Sequence, residues 1–145
     1  IKPPVEYNTT EEEYLDNQVS NDGLLSGQEL EDGDRVFGTI SSNFDRDWYF
    51  VDLPPGEQNL ELTIEAFYHA SPADLKISLF PPETFDDPST NPVRVRNNGS
   101  PLSSSDPYLQ YRVDDGGKWG ILIESRTETG SDLYWYVLDV QSIQE

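Results

Sequence analysis

One histidine, no cysteine and 28 acidic side chains are the chemical raw material of this 145-residue chain. Without cysteine there is no disulfide, thiol nucleophile or thiolate metal site, and one histidine leaves no His-rich metal centre. Paired carboxylates can run glycoside hydrolysis as acid and base, and Asp86–Asp87 and Asp114–Asp115 are adjacent pairs of this kind. In so acidic a chain such pairs arise from composition alone, and both sit in turn-like sequence. His69 follows Phe67 and Tyr68 where the chain leaves an expected strand, with Ser71 close by. No Gly-x-Ser-x-Gly elbow or other nucleophile setting accompanies them. His69 is therefore read as a surface residue, no catalytic residue is assigned, and the chain is not expected to be an enzyme.

Charge narrows the choice of partners. Nine Lys and Arg against 28 acids leave a net charge of −19, which repels the phosphates of nucleic acids and of anionic membrane surfaces. No apolar run approaches the roughly 20 residues of a membrane helix, and an aromatic content of 12% is too high for a disordered acidic tail. A chain of this length buries roughly 68–70% of its unfolded surface, enough for one full core. The acidic surface, with Lys2, Lys76 and Lys118 as its lysines, suits a salt-rich medium that screens self-repulsion. A secreted, extracellular location is expected. The chain has no Met and does not open on a signal-like segment, as expected of a piece of a longer protein.

The elements that would carry any site are short and alternating. Residues 1–16 hold Pro3, Pro4 and the acidic run Glu11, Glu12, Glu13 without periodicity, and read as an acidic linker or extended arm. Residues 17–145 read as one β-sandwich domain. Alternation predicts inward sets: Val36 and Ile40; Tyr49, Val51 and Leu53; Leu60, Leu62, Ile64 and Ala66; Leu75, Ile77 and Leu79. Three more follow as Leu109, Tyr111 and Val113; Trp119, Ile121 and Ile123; and Tyr134, Tyr136, Leu138 and Val140. Turn residues separate these sets, among them Asp32, Gly33 and Asp34, Pro54, Pro55 and Gly56, and Asp114 to Gly117. An eighth strand is expected near residues 93–96. The fold class is all-β, an antiparallel two-layer β-sandwich of jelly-roll type with seven or eight strands.

The order of motifs resembles the bacterial pre-peptidase C-terminal domain family, related in fold to the collagen-binding domains of secreted collagenases. Asn21, Asp22 and Gly23 run into Leu24 and the turn at Gly27. Then come Gly38–Thr39–Ile40, the run Asp45, Arg46, Asp47, Trp48, Tyr49, Phe50, and Leu53–Pro54–Pro55–Gly56. Asp74 to Phe80, Gly117 to Ile123 and Tyr136 to Val140 resemble the later strands of the family. The resemblance spans residues 17–141. It departs from the family pattern where Val19 replaces a usual Glu and Gly120 replaces one of two paired tyrosines. The resemblance implies an accessory domain of a secreted hydrolase, without catalysis of its own. That domain would bind a polymer, either a polysaccharide or a fibrous protein, or pack on the catalytic domain. The alternative is a structural spacer that supports folding or secretion, stiffened by calcium, with no external ligand.

Calcium (Ca2+) is the candidate ion because the related collagen-binding domains draw ligands from corresponding segments. Here those segments offer Asn21, Asp22, Asp45 and Asp47, all oxygen donors of the type calcium takes. The competing reading has Asp45 and Asp47 capping a turn into the next strand, and Asn21 and Asp22 making Asx-turn bonds. For ligand binding, strand parity sends Phe37, Trp48, Phe50, Phe80 and Trp135 to outer faces. Trp48, which belongs to the resembling family motif, is expected to be covered by the N-terminal segment and to have a structural role. That leaves Trp135 and Phe50 as the candidate contact pair, if one face carries both and Arg112 or Arg126 flanks them. The alternative is that residues 1–16 or the loop 81–106 cover them.

Overall fold

The computed structural model describes residues 7–11, 23–43, 45–66, 71, 73–100, 105–127, 130 and 134–144. Ten strands follow one another: β1 (Thr9–Thr10), β2 (Gln28–Leu30), β3 (Arg35–Thr39), β4 (Arg46–Leu53), β5 (Gln58–Glu65), β6 (Leu75–Phe80), β7 (Arg94–Arg96), β8 (Tyr108–Val113), β9 (Gly117–Ser125) and β10 (Trp135–Gln144). No α-helix occurs among the described residues, and 3-10 turns occupy Leu24–Ser26 and Pro82–Phe85. The first sheet runs β1-β3-β10-β5-β8 and the second β2-β4-β9-β6-β7. Consecutive strands therefore alternate between layers along much of the chain.

Period-two alternation builds the core as expected. Every residue of the predicted inward sets belongs to the buried cluster between the sheets, Tyr111 and Tyr134 packing on it while partly exposed. The fully buried side chains include Tyr49, Tyr136, Leu60, Ile64, Ile77 and Ile121. Two features differ from expectation. Among the described residues the strands number ten, not seven or eight, and both sheets are mixed, because β1 runs parallel to β3 and β2 parallel to β4. These two edge strands have two and three residues, too short to show a period. The expected eighth strand is present as β7, which pairs with β6. Strand β1 lies inside the stretch read as an arm, so the first sheet reaches back to Thr9.

The turns follow their glycines. Gly117 opens β9 at φ +103°, a conformation that side chains disfavour. At Gly116 a Cβ would stand 2.1 Å from the Pro54 carbonyl oxygen, so the β8–β9 turn closes only on a residue without one.

Candidate functional site

The expected ligand pair does not share a face. Phe50 lies on β4 in the second sheet and Trp135 on β10 in the first, so the sandwich separates them. Trp135 is 6% exposed, and its carbonyl accepts a hydrogen bond from Ser71 Oγ at 2.7 Å. Its neighbours on the outer side of the first sheet, Phe37 and Val137, are also buried, and the ring of Tyr7 rests on Phe37 at 5.4 Å. Part of the predicted arm thus covers this face. Parity placed each ring outward correctly but carried no information about which sheet each strand joins. Neither expected arginine flanks Phe50: Arg112 on β8 pairs with Glu57 at 2.7 Å, and Arg126 pairs with Asp74.

The outer face of the second sheet carries a cluster of half-exposed rings. Cross-strand register sets Glu29, Phe50, Gly120 and Phe80 in one row and Trp48, Leu122, Ser78 and Val95 in the next. Rings of Trp48 and Phe80 meet over β9 at 4.9 Å, where Gly120 has no side chain to hold them apart. The 3-10 turn Pro82–Phe85 brings Phe85 edge-on to Phe50 at 6.0 Å. Lys118, outward on β9, sets its ammonium 4.1 Å from the centre of the Phe50 ring and 4.6 Å from that of Phe85. All four rings are half-exposed and Val95 is exposed. Lys118 was legible in principle, since its parity is opposite to that of Trp119 and Ile121. Phe85 was not, because its loop has no period.

The predicted carboxylates take a different position. Asp45 Oδ2 accepts bonds from the Ser41 backbone N–H at 2.8 Å and from Ser41 Oγ at 3.1 Å, closing the turn into β4. Asp47, wholly buried, points into the core, where Tyr136 Oη donates to its Oδ2 at 2.6 Å and Tyr49 Oη lies 2.7 Å from Tyr136 Oη. Since Tyr136 gives its one proton to Asp47, Tyr49 is the donor of the second bond. This chain ties β4 of one sheet to β10 of the other. Glu11, from the residue after β1, is buried beside them and accepts the Thr39 N–H at 3.0 Å. Asp47 Oδ1 receives no N–H or O–H. Burial above all, then the charge of Glu11, pushes the Asp47 carboxyl well above its ordinary range. Its contact with Glu11 is a carboxyl pair, which bonds only when one member holds a proton. Burial and the neighbouring carboxylates likewise raise both tyrosine hydroxyls.

Asp45 and Asp47 by themselves fall short of the six to eight oxygens that calcium takes. Among the described residues no three His, Cys, Asp or Glu are arranged to hold a metal. Asn21, Asp22 and His69 lie outside the described residues. The sequence offered a sign of the inward Asp47, which shares parity with Tyr49 and Val51, but none of Glu11.

No family's sequence model matches the chain, and no curated protein matches it in sequence. The fold has solved counterparts. The pre-peptidase C-terminal domain of collagenase from Bacillus anthracis superposes with a TM-score of 0.54 at 9% identity, over 80% of this chain and 93% of that one. PliG from Aeromonas hydrophila, a periplasmic inhibitor of g-type lysozyme, gives 0.58 at 12% identity over 79% and 96%. The mitogen derived from Yersinia pseudotuberculosis gives 0.50 at 14% over 77% and 86%. At these identities the likeness is one of fold. The chain shares its architecture with the domain that its motifs resemble. No helix among the described residues is long and apolar enough to cross a membrane.

Proposed function

We propose that this chain is a secreted binding module, an accessory domain of a hydrolase that holds a polymer or a neighbouring domain through the outer face of its second sheet. The observation that carries the reading is the half-exposed strip of Trp48, Phe50, Phe80 and Phe85 on one sheet face. Rings grouped in this way on a surface mark contact sites. The shared fold with a collagenase's pre-peptidase C-terminal domain supports the accessory role. Binding here works by shape and aromatic contact, without bond chemistry. The neighbouring carboxylates Glu11, Asp45 and Asp47 are exposed by 1%, 8% and 0%, closed to any polymer.

Tryptophan emission tests the surface. Trp119 and Trp135 are 7% and 6% exposed while Trp48 is half-exposed, so a ligand on this face changes the emission of Trp48. Retention on insoluble polysaccharides and on collagen fibres is measured alongside. Trp48→Phe is expected to abolish the emission change and Phe50→Ala to weaken retention about tenfold, in line with hot-spot aromatics. Wild-type retention by Phe50→Ala and Trp48→Ala together would remove this face from the function.

A further inference from the structure

The aromatic strip already holds a cation. Lys118 Nζ stands over both Phe50 and Phe85, the placement in which an aromatic quadrupole attracts an ammonium. Around this slot the exposed groups are acidic. Glu29 lies across from Phe50 in the sheet and Asp52 across from Lys118, while Glu83 and Asp86 flank Phe85 along the chain. The whole molecule carries −19, so two copies of this face repel one another and a polyanion is repelled as well. A cationic partner is drawn in. Lysine is a compact charge on a flexible four-carbon stem, so Lys118 can leave the slot when a competing cation arrives.

We propose that this face docks a lysine- or arginine-bearing polypeptide, one of whose cationic side chains replaces Lys118 between Phe50 and Phe85. The proposal rests on the reading of the outer face as the binding surface and names its occupant. Charge brings the partner near, and the two rings give the contact its position.

A lysine-rich peptide and its fully acetylated twin, titrated into the whole chain at low and high salt, test it. The unmodified peptide is expected to bind, more weakly in high salt, and the twin at least tenfold more weakly. Phe85→Leu and Phe50→Leu leave the charge unchanged and are expected to weaken peptide binding about tenfold, with melting temperature checking that each variant folds. Lys118→Met is expected to tighten binding several-fold more than Lys76→Met, which removes the same charge from the same sheet face outside the slot. Equal binding by the leucine variants, or no advantage of Lys118→Met over Lys76→Met, would reduce the attraction to diffuse charge and overturn the proposal. Binding of the acetylated twin at wild-type strength would also overturn it. If a neutral polysaccharide binds the face and the peptide does not, the occupant is wrong and the binding surface stands. If neither the polysaccharide, collagen nor the peptide depends on these rings, both fall.

Discussion

Asp47 is a carboxyl wholly removed from water. A carboxyl whose folded-state pKa lies above its ordinary 3.8 binds more protons folded than unfolded between those two values, so stability falls as pH rises through that window. Melting temperature is therefore expected to climb as pH is lowered from neutral toward the ordinary carboxylate range. Asp47→Asn keeps an oxygen for Tyr136 and offers Glu11 an N–H. It is expected to flatten that Asp47-dependent rise and to melt no lower than wild type at neutral pH. A variant with the unchanged pH profile would show that the rise belongs to other acids. Gly38 tests the same cluster from the opposite sheet. A Cβ there would stand 2.6 Å from Tyr136 Oη and 3.0 Å from Tyr49 Oη, so Gly38→Ala is expected to cost about 1–3 kcal/mol by overpacking. Adding Tyr136→Phe removes the nearest of those atoms, and a double-mutant cycle by denaturant unfolding should show a coupling above about 0.5 kcal/mol.

At the scale of elements, edges need protection. Strand β8 closes one end of the first sheet, and an unpaired edge invites association with another chain. Here β7 and the segment after it cover it. The Tyr108 N–H donates to the Asn98 carbonyl at 3.0 Å, and Arg94 Nη1 donates to the Gln110 carbonyl at 2.6 Å while its guanidinium sits 5.4 Å from the Tyr111 ring centre. Arg94→Ala is expected to lower the melting temperature by a few degrees, corresponding to about 1 kcal/mol for one charge-assisted bond with its ring contact. It should also speed hydrogen exchange at the Tyr108 amide. Unchanged exchange there would mean that Arg94 does not hold the cover in place. The opposite edge is managed by brevity, since β1 has two residues and is fixed through the Asn8 and Glu11 amides to carbonyls of Arg35 and Phe37.

For the whole molecule, charge is the dominant property. A net −19 on a compact body pushes against folding, and salt screens that repulsion within a Debye length of about 10 Å at 0.1 M. The melting temperature is expected to rise steadily as sodium chloride increases from 10 mM to 500 mM, measured at constant neutral pH. A flat or falling curve would mean that local ion pairs, such as Arg35 with Glu65 and Asp139, outweigh the net field. The same field shapes partner choice, since it penalises self-association and polyanions before any contact forms.

The amino-acid order alone determined the sandwich and its interior. Leu60, Leu62 and Ile64, or Tyr49, Val51 and Leu53, state their burial by alternating with polar neighbours, because a strand turns successive side chains to opposite faces. The motif order also pointed to the architecture later seen in the collagenase domain. Sequence could not show which strands lie side by side, because register and sheet membership arise from pairing between residues far apart. That is why Phe50 and Trp135 looked alike on paper and lie on opposite sheets, and why Glu11, read as part of an arm, is buried beside Asp47. The strip of Trp48, Phe50, Phe80 and Phe85 exists only once β4, β9, β6 and the turn after β6 are brought into one layer.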